Sequence, residues 1–225
     1  MRMRRKKNLD DRLAVCEAAG KLKIIWCEER NFLESVKDKE YFNFCEMFGN
    51  SNPVYLEIGC GKGQFAIDHA KAHPDINILA IEKTSNVIVD AAEKAIAENL
   101  PNLMLLRCEA EYLTKFIPPH SIDRIYLNFS CPFPKKQYAH HRLTHKVFLD
   151  IYREIMAPAA EIHQKTDNQG LFEFSVNSLS GEGFTLKNVT LDLHNSSFEG
   201  NIMTEYEKKF SEMGMPIYRL EAYLR

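Results

Sequence analysis

Three glycines at alternate positions, Gly59, Gly61 and Gly63, follow a short apolar run over 54–58 and precede an amphipathic stretch over 65–73. That order reads as strand, tight turn, helix. Glycine reaches positive φ without strain and, lacking a Cβ, lets the backbone approach a ligand closely. The helix start beyond it offers N–H groups with no intrahelical partner. Further apolar runs at 76–81, 103–108, 122–129 and 161–167 read as strands, separated by helical spacing at 87–99 and 147–156 that Pro101 and Pro158 end. A helix over 168–179 and strands over 184–193 and 217–224 follow, and Thr204 with Glu207 has capping-box spacing. Strands alternating with helices predict a parallel sheet with helices on both faces. Ligands bind such sheets beyond the carboxyl ends of the strands. Glu57, Glu82, Glu109, the loop from Ser130 and Asp167 all fall at such ends.

The glycine turn admits several readings. A phosphate-cradling P-loop needs Ser or Thr after its lysine, and Lys62 is followed by Gly63. A dinucleotide turn spaces its glycines G-x-G-x-x-G, and here the third comes one residue early. The remaining ligand reading is the Glu-x-Gly-x-Gly-x-Gly loop of S-adenosylmethionine-dependent methyltransferases, whose cationic sulfonium suits Glu57 and Glu82. A turn with no ligand stays open on glycine spacing alone. Glu82 weighs against it, because a carboxylate about 20 residues past such a turn commonly holds a ribose hydroxyl.

The chain has 225 residues and a net charge of -2, so any nucleic-acid site is a local patch on an otherwise balanced surface. Six cysteines without CxxC spacing argue for a reducing compartment and against a zinc ribbon. No apolar run approaches a membrane span, and the basic N-terminus lacks a signal-peptide core, so a cytoplasmic protein is expected. Residues 1–50 are expected to form a basic arm and one or two edge helices carrying Trp26, and 51–225 a single domain. The first seven residues hold five cations, either a solvated arm or one that grips phosphates. Residues 135–146 hold four Lys/Arg, three His and no acid. A basic stretch with an interleaved aromatic suits RNA phosphates and an exposed base. No metal site is expected, since no carboxylate or cysteine completes a set with His140, His141 and His145.

Several motifs together resemble one family along almost the whole chain. They are Met1-Arg2-Met3-Arg4, the loop from Glu57 to Gln64, Tyr126-Leu127-Asn128-Phe129-Ser130 with Pro132 and Pro134-Lys135-Lys136, Arg142-Leu143-Thr144, Lys165-Thr166-Asp167-Asn168 with Gly170-Leu171-Phe172-Glu173, and the run from Glu199 to Glu207. The chain resembles the bacterial tRNA (guanine-N7-)-methyltransferases. The resemblance implies an α/β class I methyltransferase fold, with a seven-stranded, mainly parallel sheet and an antiparallel last strand. It implies methyl transfer from S-adenosyl-L-methionine to N7 of a guanine in the tRNA variable loop, by a monomer or homodimer. Glu57, Gly59, Gly61, Glu82, Glu109 and Cys131 would then contact the cofactor. Lys135, Asp167, Thr204, Glu205, Tyr206 and Glu207 would contact the tRNA or its guanine. One departure stands out. The family's loop reads Ser-Asp-Pro-Trp-Pro-Lys, whereas this chain has Ser130-Cys131-Pro132-Phe133-Pro134-Lys135. The catalytic position thus holds Cys131, and the alternative is a tRNA-binding homologue with impaired catalysis.

Overall fold

The structure, a computed structural model, describes residues 4–25 and 38–224. Trp26 and the helix expected around it lie outside those residues. The chain divides into two compact units, residues 1–118 and 119–225.

The first unit opens with helix α1 (Leu9–Ala18), strand β1 (Leu22–Ile24) and helix α2 (Phe44–Phe48). Strand β2 (Val54–Ile58), helix α3 (Gln64–Ala72), β3 (Asn77–Ile81), α4 (Ser85–Ala97), β4 (Leu103–Arg107) and the short α5 (Leu113–Phe116) follow. The strands lie in the order β1-β4-β3-β2, and every neighbouring pair is parallel. Such strands are covered on both faces, which is why β3 reads Asn-Ile-Leu-Ala-Ile and buries every residue. Helix α4 presents Ile88, Ala91, Ala92 and Ala95 to the core at helical spacing, all fully buried. Burying one leucine or isoleucine of this core contributes about 1.5–3 kcal/mol.

The second unit holds β5 (Ile122–Asn128), α6 (Lys146–Ile155), β6 (Met156–Thr166), α7 (Gln169–Gly181), β7 (Thr185–Thr190), α8 (Glu205–Glu212) and β8 (Tyr218–Tyr223). Its order is β5-β6-β8-β7, with β5 and β6 parallel and β8 antiparallel to both β6 and β7. The antiparallel last strand is therefore present.

Two expectations need correction. The described residues carry eight strands, not seven, because β1 forms inside the stretch read as helical. Its three residues are too few to show a period, and its place is set by parallel pairing with residues 105–107 of β4. Pro158, expected to end the helix over 147–156, lies inside a strand. Helix α6 stops at Ile155 and β6 begins at once. Residues 157–160 bulge out of register between the pairs Ile122–Met156 and Arg124–Glu161, and Ala159 takes φ 64. A bulge is where a strand tolerates a residue without an N–H donor.

Candidate functional site

In the first unit the glycine turn closes over the end of β3. The N–H groups of Gly59 and Cys60 both donate to the Ile81 carbonyl at 2.9 Å, and Gly63 N–H donates to the Cys60 carbonyl at 2.9 Å. Gly59, Gly61 and Gly63 all have positive φ, at 81, 57 and 77 degrees. The three glycines serve two purposes. A Cβ at Gly63 would lie 2.7 Å from the Ala91 Cβ, so Gly63 lets α4 pack against the turn. A Cβ at Gly59 or Gly61 would meet no atom within 4 Å, so these two border open space. They form an empty-sided cradle of the kind a cofactor fills.

Carboxylates stand at the ends of the strands in this unit. Glu57 is the next-to-last residue of β2 and is buried. Glu82 follows β3, is half-buried, and its Oε1 accepts the Thr84 N–H at 2.8 Å, leaving its second oxygen for another donor. Burial first, then the charges of Glu57 and Glu82, push the Cys60 thiol well above its usual pKa. The two carboxylates near the turn suit a cationic sulfonium better than a pyrophosphate. Glu109 is exposed beyond β4, where its backbone carbonyl starts a 3-10 turn over Ala110–Tyr112. The residues present fit S-adenosylmethionine.

In the second unit the loop after β5 is held by its own basic stretch. Arg142 donates from Nε to the Pro132 carbonyl at 3.0 Å and from Nη2 to the Phe133 carbonyl at 2.9 Å. Its guanidinium lies over the Phe174 ring, 4.5 Å from the centroid. Cys131, Lys135 and Lys136 are exposed on that loop. Lys146, counted with them in the sequence, pairs instead with Asp150 and Glu182. The basic stretch is thus split between loop-building and exposed cations. Phe129 takes φ 51 and turns its ring into a stack with Tyr206 and Phe210, at 6.3 and 6.1 Å between centroids.

Residues 204–207 are divided in the same way. Tyr206 and Glu205 are exposed. Thr204 is the N-cap of α8 and forms a capping box with Glu207, as the spacing predicts. Glu207 has 0% side-chain exposure and ion-pairs at 2.6 Å with Lys165, itself 7% exposed. Lys165 Nζ also donates to Asn201 Oδ1 at 3.1 Å and to the Ile202 carbonyl at 2.8 Å. His194 lies 3.4 Å from the other Glu207 oxygen. Glu207, expected to contact tRNA or its guanine, is buried here, and Lys165, quoted in a motif but given no role there, is its anchor. Asp167 is half-buried just after β6, next to Asn168, whose side chain caps α7.

One group of metal-ligand types occurs among the described residues: Glu161, His163 and Glu221, on neighbouring strands β6 and β8. Cations already occupy it. Lys187 pairs with Glu161 and Glu221, Arg219 with Glu221, and Arg124 with Glu161. Burial, partly opposed by the bond to Glu161, pushes the His163 pKa down to about 4. A histidine depressed in the folded state binds fewer protons than when unfolded. Its contribution is complete above the unfolded value near 6.5 and is lost as pH falls towards 4. The loss is on the order of 1–3 kcal/mol. His163→Gln should flatten the stability profile between pH 6.5 and 4, as measured by urea midpoints; an unchanged acid limb would contradict this.

A glycine cradle at the turn from β2 to α3, carboxylates at strand ends and an antiparallel final strand define a class I methyltransferase. Solved structures of that class share the fold. The 16S rRNA methyltransferase KamB has a TM-score of 0.61 at 15% identity, over 83% of this chain and 95% of its own. Precorrin-6y C5,15-methyltransferase from Geobacter metallireducens GS-15 has 0.54 at 15%, over 86% of each chain. A 16S rRNA (adenine(1408)-N(1))-methyltransferase from Catenulisporales acidiphilia, solved with its cosubstrate SAM, has 0.54 at 14%, over 86% and 89%. Residues 51–220 match the model of the Methyltransf_4 family, described as "Putative methyltransferase". The chain belongs to that family, which is the family of the tRNA (guanine-N7-)-methyltransferases. Its cofactor is S-adenosylmethionine.

Proposed function

We propose that the protein is a tRNA (guanine-N7-)-methyltransferase. The observation that carries this reading is the exposed Cys131–Lys136 loop, built by Arg142 at the end of β5, in a chain of this family. Bound S-adenosylmethionine supplies an electrophilic methyl on a sulfonium. Glu82 would accept from the ribose hydroxyls, the glycine cradle would admit the cofactor close to the backbone, and the Glu57 and Glu82 charges would favour its cation. Lys135 and Lys136 hold tRNA phosphates, and Tyr206 offers its ring to an unstacked base.

Guanine N7 is an unprotonated lone pair at neutral pH, so in-line attack needs alignment and field rather than a general base. Cys131 therefore stands where the family has a positioning acid, and no covalent adduct is required of it. That substitution favours a second reading, a tRNA-binding homologue with weakened transfer. Tritiated methyl transfer to unmodified tRNA carrying a variable-loop guanine, followed by nucleoside analysis, separates them. Labelled 7-methylguanosine supports the enzyme. Cofactor and tRNA binding without product supports the homologue. Label in another nucleoside overturns the assigned position.

Glu82→Ala is expected to weaken S-adenosylmethionine binding about ten- to a hundredfold, the loss of one or two hydrogen bonds to a charged acceptor. Affinity for tRNA should change less than twofold. Calorimetry on each ligand checks the split, and equal losses would refute the role given to Glu82.

A further inference from the structure

We propose that residues 4–12 form a strap that positions the cofactor cradle from behind, through helix α4, with Lys6 and Asn86 as its fastening. The inference rests on the reading of the glycine turn and Glu82 as cofactor contacts.

The strap is fastened at both backbone and side-chain level. Lys6 N–H donates to Asn86 Oδ1 at 3.1 Å, and Asn86 Nδ2 donates to the Arg4 carbonyl at 2.9 Å. The Lys6 ammonium pairs with Asp90. Arg12 binds Glu93 through Nε and Nη2, both at 2.7 Å, and reaches Asp90 at 3.2 Å. Asn86, Asp90 and Glu93 sit at i, i+4 and i+7, so one face of α4 takes the whole strap. Leu9, Leu13 and Cys16 continue the contact as buried members of the core that includes Ile88 and Ala92.

The other parts of α4 meet the cradle. Ala91 lies against Gly63 so closely that no Cβ fits there. The residue before the helix, Thr84, donates its N–H to Glu82. Helix α4 thus links the strap to the turn and to the ribose carboxylate at once. Interiors pack too densely to absorb a shift of one such helix without moving its neighbours. Three of the strap's cations have acidic partners within the protein: Lys6 and Arg12 face carboxylates of α4, and Arg5 faces Asp10.

The test measures S-adenosylmethionine affinity by calorimetry in Asn86→Ala, Lys6→Ala and Lys6→Arg, with thermal melting as a check on folding. Asn86→Ala and Lys6→Ala should each weaken binding about three- to thirtyfold, the range carried by one or two net hydrogen bonds. Lys6→Arg, which keeps the ion pair, should restore it to within twofold of the unmodified protein. Arg5→Ala, which removes an equal charge from an exposed pair, should leave it unchanged. Cofactor affinity within twofold of the unmodified protein in both alanine variants overturns the proposal, as does an equal loss in Arg5→Ala. An unmodified protein that binds no S-adenosylmethionine would instead sink the reading on which it rests.

Discussion

Lys165→Met should destabilise the protein by about 3–5 kcal/mol, because it leaves Glu207 as a buried carboxylate with its main cation gone. The ammonium holds three acceptors, from Asn201, Ile202 and Glu207, and so fixes the turn that leads into α8. Replacing both partners, Lys165→Met with Glu207→Gln, should recover more than half of the loss, since no unpaired charge remains. The amide can still accept the capping bond from Thr204. Urea unfolding of the two variants measures the difference. A single variant within about 1 kcal/mol of the unmodified protein would show that water or another cation reaches Glu207. The same variants bear on function. Tyr206 is carried by the first turn of α8 and stacks on Phe129, so under the proposed function the double variant should raise the KM for tRNA more than it lowers kcat.

The second large effect concerns the loop after β5. Cys131→Asp should raise methyl transfer roughly ten- to a hundredfold, by restoring one charge-assisted hydrogen bond worth about 1.5–3 kcal/mol. The backbone is ready for it. Arg142 fixes the carbonyls of Pro132 and Phe133, and position 131 is exposed, so a carboxylate there pays no burial penalty. Single-turnover rates with saturating cofactor provide the measurement. A fall in rate would mean that Phe133, in place of tryptophan, has reshaped the loop so that the acid no longer meets the base.

What the sequence made legible follows from the range of the interactions involved. The glycine turn, the acids at strand ends and the capping box are local patterns, and they appear where the residues place them. Long-range pairing was hidden. Lys165 and Glu207 are 42 positions apart, and a charged residue in a motif reads as exposed until its partner is known. Glu207 is read as a substrate contact from its motif, and what the motif does not show is its buried pair with Lys165. The fastening of Lys6 is hidden for the same reason, since Asn86 and Asp90 lie about 80 residues beyond it. Strand β1 is a third case: Leu22, Lys23 and Ile24 carry no period of their own, and only β4 makes them a strand.

The brace at Lys165 and Glu207 also separates two responses to ionic strength. Dissolved salt shortens the reach of exposed charges from about 8 Å at physiological strength to about 3 Å at 1 M. Lys135 and Lys136 lie open to those ions, whereas the Lys165–Glu207 pair is sealed from them. On the proposed reading, concentrated salt should therefore weaken the hold of Lys135 and Lys136 on a polyanion while the turn into α8 stays braced. Dilution alone would then return the surface to use, with no refolding step between.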